Sequence, residues 1–176
     1  MTFMFDATLH RTEVLAEELV GRLCSAGLTV ATAESLTAGL CAASIAAVPG
    51  ASAVLRGGLV VYATDLKHGL AGVSARLLDE RGPVDPDVAR ELAAGAVRQC
   101  GADVGLSLTG VAGPDPQDGH PVGEVYVGVS LRGYQKVEKL QLEREIAQMN
   151  QKVARQFIRY SAVNLALSTA CNCLEG

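Results

Sequence analysis

Apolar residues recur at helical spacing from about Thr12 to Ala26, with Leu15, Leu19 and Leu23 in one row and Val20 and Cys24 beside it. Gly27 is a natural stop for that helix. Leu28 to Ala33 then reads as a short buried strand. Thr37 to Val48 reads as an alanine-rich helix, slim enough to lie close against a sheet and ended by Pro49-Gly50. Val54 to Thr64 predicts a second strand, in which Gly57 and Gly58 mark a bulge or a close backbone approach. Asp85-Pro86 is a helix start, aspartate as cap and proline in the first turn, and Val88, Leu92, Ala96 and Val97 give that helix its apolar face up to Gly101. Asp103 to Thr109 predicts a third strand and Gly110 to Gly123 a polar loop. Glu124 to Leu131 and Gln135 to Leu142 flank an Arg132-Gly133 hairpin turn. Leu142 to Asn150 looks helical, and a long last helix carries Phe157, Ile158, Ala162 and Leu165 on one face.

Strands alternating with helices, then a hairpin, predict an α/β fold: a single three-layer α/β/α domain over 1–176 with a mixed, mostly parallel sheet, a C-terminal hairpin and a long helix. Residues 1–10 are expected to form a loose N-terminal segment. No internal repeat, low-complexity tract or linker divides the chain. Its 176 residues suffice for one domain with a substantial core. Hydrophobic residues at 49% against 19% charged place it among globular proteins.

A net charge of −4 argues against a nucleic-acid or acidic-membrane partner, while leaving room for a small anionic ligand gripped by focused arginines. The five cysteines contain no Cys-x-x-Cys pair. Cys24, Cys41 and Cys100 fall among alanines and leucines in predicted helices, as core filler with neither a disulfide nor a zinc site. No apolar run reaches membrane-spanning length, and Met1 to Asp6 lacks the basic start of a signal peptide, so a cytoplasmic location is expected.

In an open α/β sheet, ligands bind where strand C-termini meet helix N-termini. Three such ends are chemically marked: Glu34-Ser35 after the first strand, Lys67 closing the second, and Thr109-Gly110 after the third. Each mark alone has an ordinary structural explanation: Ser35 or Thr37 as a helix cap, Lys67 as a surface lysine, Thr109-Gly110 as a turn. Their coincidence suggests a serine activated by a lysine, with backbone N–H groups near Thr37 or Gly110 holding an oxyanion. The loop Thr109-Gly110-Val111-Ala112-Gly113-Pro114-Asp115 lacks the Gly-Lys-Ser/Thr ending of a phosphate loop, which favours close backbone approach to a ligand over magnesium-dependent nucleotide hydrolysis.

Four ordered motifs carry a resemblance across nearly the whole chain: Thr32-Ala33-Glu34-Ser35-Leu36-Thr37-Ala38-Gly39; Gly57-Gly58-Leu59-Val60-Val61-Tyr62 with Lys67 five positions on; the Thr109 to Asp115 loop; and Pro121-Val122-Gly123-Glu124-Val125-Tyr126. The chain resembles the CinA C-terminal-domain family, the nicotinamide mononucleotide (NMN) amidohydrolases. The resemblance implies Ser35 as nucleophile, Lys67 as base and Tyr62 as its assistant, with NMN deamidated to nicotinic acid mononucleotide and ammonia. It also implies a pocket containing Glu34, Thr37, Thr109, Gly110 and Gly113, no cofactor or metal, and a homodimer. The family's Gly-Asp-Arg, with a second arginine four residues on, is represented here by Val153-Ala154-Arg155 and Arg159. The two arginines share a helix face suited to a substrate phosphate or, equally, to solvent.

An ordinary lysine is unprotonated at neutral pH in only about one molecule in 2500, so a base requires roughly 4–5 kcal/mol of environmental bias. Burial beside Leu59, Val60, Val61, Leu66 and Leu70 is the expected source, and Tyr62 would hydrogen-bond to either partner. Three other readings stay open: a Ser-His-Asp set using His120 with Asp115 or Asp118, a catalytically silent nucleotide-binding or regulatory module of the CinA type, and an amidase for some other carboxamide.

Overall fold

The computed structural model describes residues 2–175. In chain order it contains α1 (Thr2–Ala26), β1 (Val30–Glu34), α2 (Leu40–Ala46), a 3-10 turn (Ala51–Ala53), β2 (Leu55–Val60), α3 (Thr64–Gly69), α4 (Ala75–Arg81), α5 (Pro86–Cys100), β3 (Val104–Gly110), β4 (Glu124–Leu131), β5 (Tyr134–Gln141), α6 (Glu143–Ile146) and α7 (Gln151–Cys173). The five strands form one sheet in the order β2-β1-β3-β4-β5. β1 pairs parallel with β2 and β3, whereas β3–β4 and β4–β5 are antiparallel. The sheet is therefore mixed, as expected, and β4 alone runs against the direction of the other four strands. Only β2 and β3 are reached through helical crossovers; the polar loop and the two-residue Arg132-Gly133 turn, both residues at positive φ, return the chain antiparallel.

Chain direction across the sheet reverses at β1. One crossover leads from β1 to β2 on one side, and the next passes back over β1 to β3 on the other. The C-terminal ends of β1 and β3 thus flank the crevice where open α/β sheets bind ligands. Two cores cover the two faces. Val30, Leu106 and Leu108 pack with Leu19, Leu23, Cys41, Ile45, Ile158 and Leu167, from α1, α2 and α7. Ala31, Ala33, Val61 and Val73 pack with Val88, Leu92 and Ala96 of α5. On that second face the sheet is surfaced with small residues: a Cβ added at Gly105 would lie 2.0 Å from the Ala93 carbonyl oxygen, and one at Gly128 would lie 2.5 Å from that of Ala89. α5 consequently rests directly on the sheet.

The loose segment expected over 1–10 is instead the start of α1, Met1 lying outside the described residues. Its cause is tertiary: Phe5 packs edge-on against Tyr160 at 5.7 Å between ring centres, Asn164 Nδ2 donates to the Thr8 carbonyl, and Thr12 Oγ1 donates to Asn164 Oδ1 at 2.7 Å. Gly57 and Gly58 behave as expected. The β1–β2 register slips between Val30 and Ala31, and a Cβ at Gly58 would meet Thr32 Oγ1 at 2.6 Å. Cys41 is buried and Cys100 half-buried, but Cys24 is exposed on the outer side of α1, which corrects its reading as core filler.

Candidate active site

Side chains on β1 alternate between the two faces. Ala31 and Ala33 face α5; Val30 faces the other core, and Glu34 continues its parity. The Glu34 carboxylate is fully buried against the start of α2. Oε1 accepts from Thr32 Oγ1 at 2.9 Å and Ala42 N at 2.8 Å; Oε2 accepts from Gly39 N and Cys41 N, both at 3.0 Å. Glu34 is therefore a seat for α2, and it does not line the ligand cleft. Ser35, one residue on, falls on the opposite face. It opens a turn closed by the Ala38 N–H donating to the Ser35 carbonyl at 3.1 Å, and α2 starts only at Leu40, three residues beyond the expected Thr37. The positive φ of Ala38 and Gly39 holds the helix start away from the serine.

Lys67 does not close a strand. β2 ends at Val60, the Val61 N–H still donates to the Glu34 carbonyl at 2.8 Å, and α3 begins at Thr64 with Lys67 as its buried residue. Nζ lies 3.1 Å from Ser35 Oγ, 2.9 Å from the Val61 carbonyl and 3.4 Å from the Tyr62 carbonyl. Lys67 is 1% exposed and has no ion-pair partner among the described residues. Burial lowers its pKa from 10.5 to about 8, against a weaker upward pull from Asp65. Of the expected apolar run, Val61 is buried and Leu59 packs against the same core, whereas Val60, Leu66 and Leu70 are exposed. The side chain is also tucked into a cleft walled by Leu36, Pro83, Val84, Val111 and Ala112. When the amine is neutral, its two N–H groups have two carbonyls to donate to. Carbonyls offer no proton in return, so the lone pair is left to accept from the Ser35 hydroxyl.

The cleft holds about 120 Å³ and contains Ser35, Lys67, Tyr62, Thr109, Gly110, Gly113 and Arg155 of the expected residues. Thr109 is buried and its hydroxyl donates to the Pro83 carbonyl at 2.7 Å, fixing the wall that precedes α5. Gly110 admits no side chain, because a Cβ would sit 2.5 Å from the Glu124 carbonyl oxygen. Gly113 turns at positive φ and presents its carbonyl to Arg155 Nη1. Arg155 Nη2 donates to the Tyr62 hydroxyl oxygen at 3.0 Å. Tyr62 thus stands exposed at the cleft mouth: its backbone carbonyl serves Lys67, while its phenol serves Arg155 and neither member of the dyad. Thr37 and Arg159 lie outside the lining. The Thr37 hydroxyl is buried without a hydrogen-bond partner among the described residues, and Arg159 donates to the Leu36 and Thr37 carbonyls behind the serine.

No histidine lines this cleft. His120 Nδ1 lies 3.2 Å from Glu124 Oε1 and His68 Nδ1 lies 2.8 Å from the Val73 carbonyl, so the Ser-His-Asp alternative has no geometric support. Thr64, Asp115 and Gln117 join Leu36, Pro83, Val84, Val111 and Ala112 to complete the lining; the sequence offered no signal for Thr64, Pro83 or Val84.

Residues 12–169 match the model of the CinA C-terminal domain. The chain belongs to the CinA C-terminal-domain family. A CinA relative from Geobacillus kaustophilus, named as a competence-damage inducible protein, is 45% identical over 124 residues, which cover 70% of this chain and 30% of the relative. One of the same name from Limosilactobacillus fermentum is 39% identical over 161 residues, 92% of this chain and 37% of its own length. The chain therefore spans only 30% to 37% of these two curated relatives. Among solved CinA structures, the competence/damage inducible protein CihA from Agrobacterium tumefaciens superposes with a TM-score of 0.84 at 30% identity, covering 94% of this chain and 96% of that one. A CinA superfamily protein from Escherichia coli gives 0.81 at 26% identity, covering 94% and 90%.

Proposed function

We propose that this CinA domain is a serine/lysine amidohydrolase that deamidates NMN to nicotinic acid mononucleotide and ammonia in pyridine-nucleotide salvage. One observation carries the reading: a buried lysine without a counter-ion, its pKa drawn down to about 8, lies 3.1 Å from a serine oxygen at the sheet's switch point. At pH 7 such an amine is neutral in about one molecule in ten.

In the proposed cycle, Ser35 Oγ attacks the carboxamide carbon as its proton passes to Lys67 Nζ. Backbone N–H groups of the turn after Ser35 hold the resulting oxyanion. Collapse breaks the C–N bond, and the Lys67 ammonium returns its proton to the departing ammonia. Water then attacks the acyl-serine ester, giving its proton to Lys67, and the carboxylate product leaves as Ser35 is reprotonated. The cleft's 120 Å³ suits the pyridine carboxamide end, with the phosphate directed outward to Arg155. No step uses a cofactor or metal. Among the described residues no helix is long and apolar enough to cross a membrane, and the proposed site of action is the cytoplasm, as a homodimer.

Ammonia release from NMN by the native protein, against Ser35→Ala and Lys67→Ala, tests the reading. Release lost in both variants is the expected result. The bridge from Tyr62 through Arg155 to Gly113, spanning the cleft mouth, favours as second reading a silent nucleotide-binding module; NMN binding with no release by the native protein would establish that instead. Release from simple carboxamides but not from NMN would overturn the substrate assignment alone.

A further inference from the structure

Arg159 projects from α7 to the back of the nucleophile turn. Nε donates to the Leu36 carbonyl at 3.1 Å, Nη2 to the Thr37 carbonyl at 2.8 Å, and Nη1 to Gln156 Oε1 at 3.0 Å. All three nitrogens are engaged inside the protein and the side chain is outside the cleft, so nothing in its placement suits it to meeting a ligand.

Leu36 and Thr37 are the two central residues of the turn that Ser35 opens and Ala38 closes. The peptide between the central residues of such a turn is the one whose reversal interconverts the common turn types. In a trans peptide the C=O and N–H point in opposite directions. Drawing the Leu36 carbonyl toward α7 therefore fixes the Thr37 N–H on the far side. The Leu36 and Thr37 N–H groups have no acceptor among the described residues. A serine at the first position of a turn keeps its oxygen on the side of the N–H two residues on, the approach that underlies local serine–backbone hydrogen bonds. Leu36 lines the cleft next to Ser35, with Thr37 buried directly behind it, so an oxyanion on a carbon bonded to Ser35 Oγ would develop on this side of the turn.

We propose that Arg159 is a positioning residue that locks this peptide with the Thr37 N–H open to the developing oxyanion; the proposal rests on Ser35 being the nucleophile. It removes Arg159 from the phosphate grip and leaves that role to Arg155. Two guanidinium nitrogens on two successive carbonyls define the peptide plane, which a single ammonium cannot do.

The test compares native protein with Arg159→Lys and Arg159→Ala in two reactions. One is labelling of Ser35 by an alkyl fluorophosphonate: Oγ bonds phosphorus, fluoride leaves, Lys67 takes the hydroxyl proton, and charge on the phosphoryl oxygen meets the same N–H groups, with no need for NMN. The other is steady-state deamidation of NMN. Both variants are expected to label about 10²-fold more slowly and to lose kcat by a similar factor, the usual cost of one oxyanion donor. KM should stay within about twofold and the melting temperature within a few degrees, a split that general loosening of the fold would not produce. Should Arg159→Ala fail to fold, Arg159→Lys carries the comparison. Labelling of the variants at the native rate, or an effect on KM alone, overturns the proposal and leaves the serine/lysine reading standing. A native protein that labels but does not deamidate NMN loses only the substrate assignment, and labelling decides the role of Arg159. A native protein that neither labels at Ser35 nor releases ammonia overturns both.

Discussion

Glu34 and Lys67 are both buried ionisable groups, placed against opposite sides of the same turn, and the protein treats them in opposite ways. Glu34 receives four donors, three from backbone N–H groups at the start of α2, so both its oxygens are satisfied by the fold. Lys67 receives two carbonyls and a hydroxyl, without a carboxylate, so its charge is disfavoured. The first arrangement holds geometry. The second holds a proton affinity near neutrality, which geometry alone has no need of.

The contrast is broken most severely by Lys67→Arg. A guanidinium stays protonated, so NMN deamidation should fall by at least about 10³-fold while the variant still binds ligand, as shown by turnover set beside calorimetric titration. Next in size is Glu34→Gln, nearly isosteric but pointing an NH₂ at backbone donors. It should lower stability by about 3 kcal/mol in urea unfolding, with activity declining as the turn after Ser35 loosens. The linkage of Lys67 is comparable but reads with the opposite sign to a paired lysine. Between about 8 and 10.5 the unfolded chain holds a proton that the folded one lacks. Stability of the native protein relative to Lys67→Met should therefore rise with pH across that window, by about 3 kcal/mol in total, in matched melts. The same pKa predicts a kcat/KM that climbs with pH up to about 8 and then levels, because the neutral amine is the working form. The smallest effect is expected from Arg155→Ala, a roughly tenfold rise in KM with kcat nearly kept, since Arg155 sits at the mouth and not behind the nucleophile.

Much of this was legible in the chain. The Asp85-Pro86 start, the Arg132-Gly133 hairpin and the Gly57-Gly58 irregularity all rest on local backbone chemistry, and all three appear where the residues put them. Ser35 and Lys67 could be paired because strand ends converge in this class of fold. What sequence reading missed depends on neighbours distant in the chain. α3 has six residues, too few for a helical period to show, and its apolar Leu66, like Leu70 just beyond its end, is exposed while its lysine is buried. α4 did carry a signal, Ser74 capping the Leu77 N–H and Gly82 as a stop, that went unread between two stronger elements. Glu34 and Arg159 looked like ligand contacts because they border Ser35 in sequence or share a face with Arg155. One residue of strand parity, or one turn of helix, turned each of them to the back of the turn.

The alanine, glycine and serine floor beneath α5 has a consequence for how this domain can change. An added methyl at Gly105 or Gly128 runs into a helix carbonyl, so any side chain there would push α5 off the sheet and with it the Pro83–Val84 side of the cleft. Variation in what the protein accepts is thereby channelled to the opposite bank, the 111–123 loop with Asp115 and Gln117. A library aimed at new ligands should be built there.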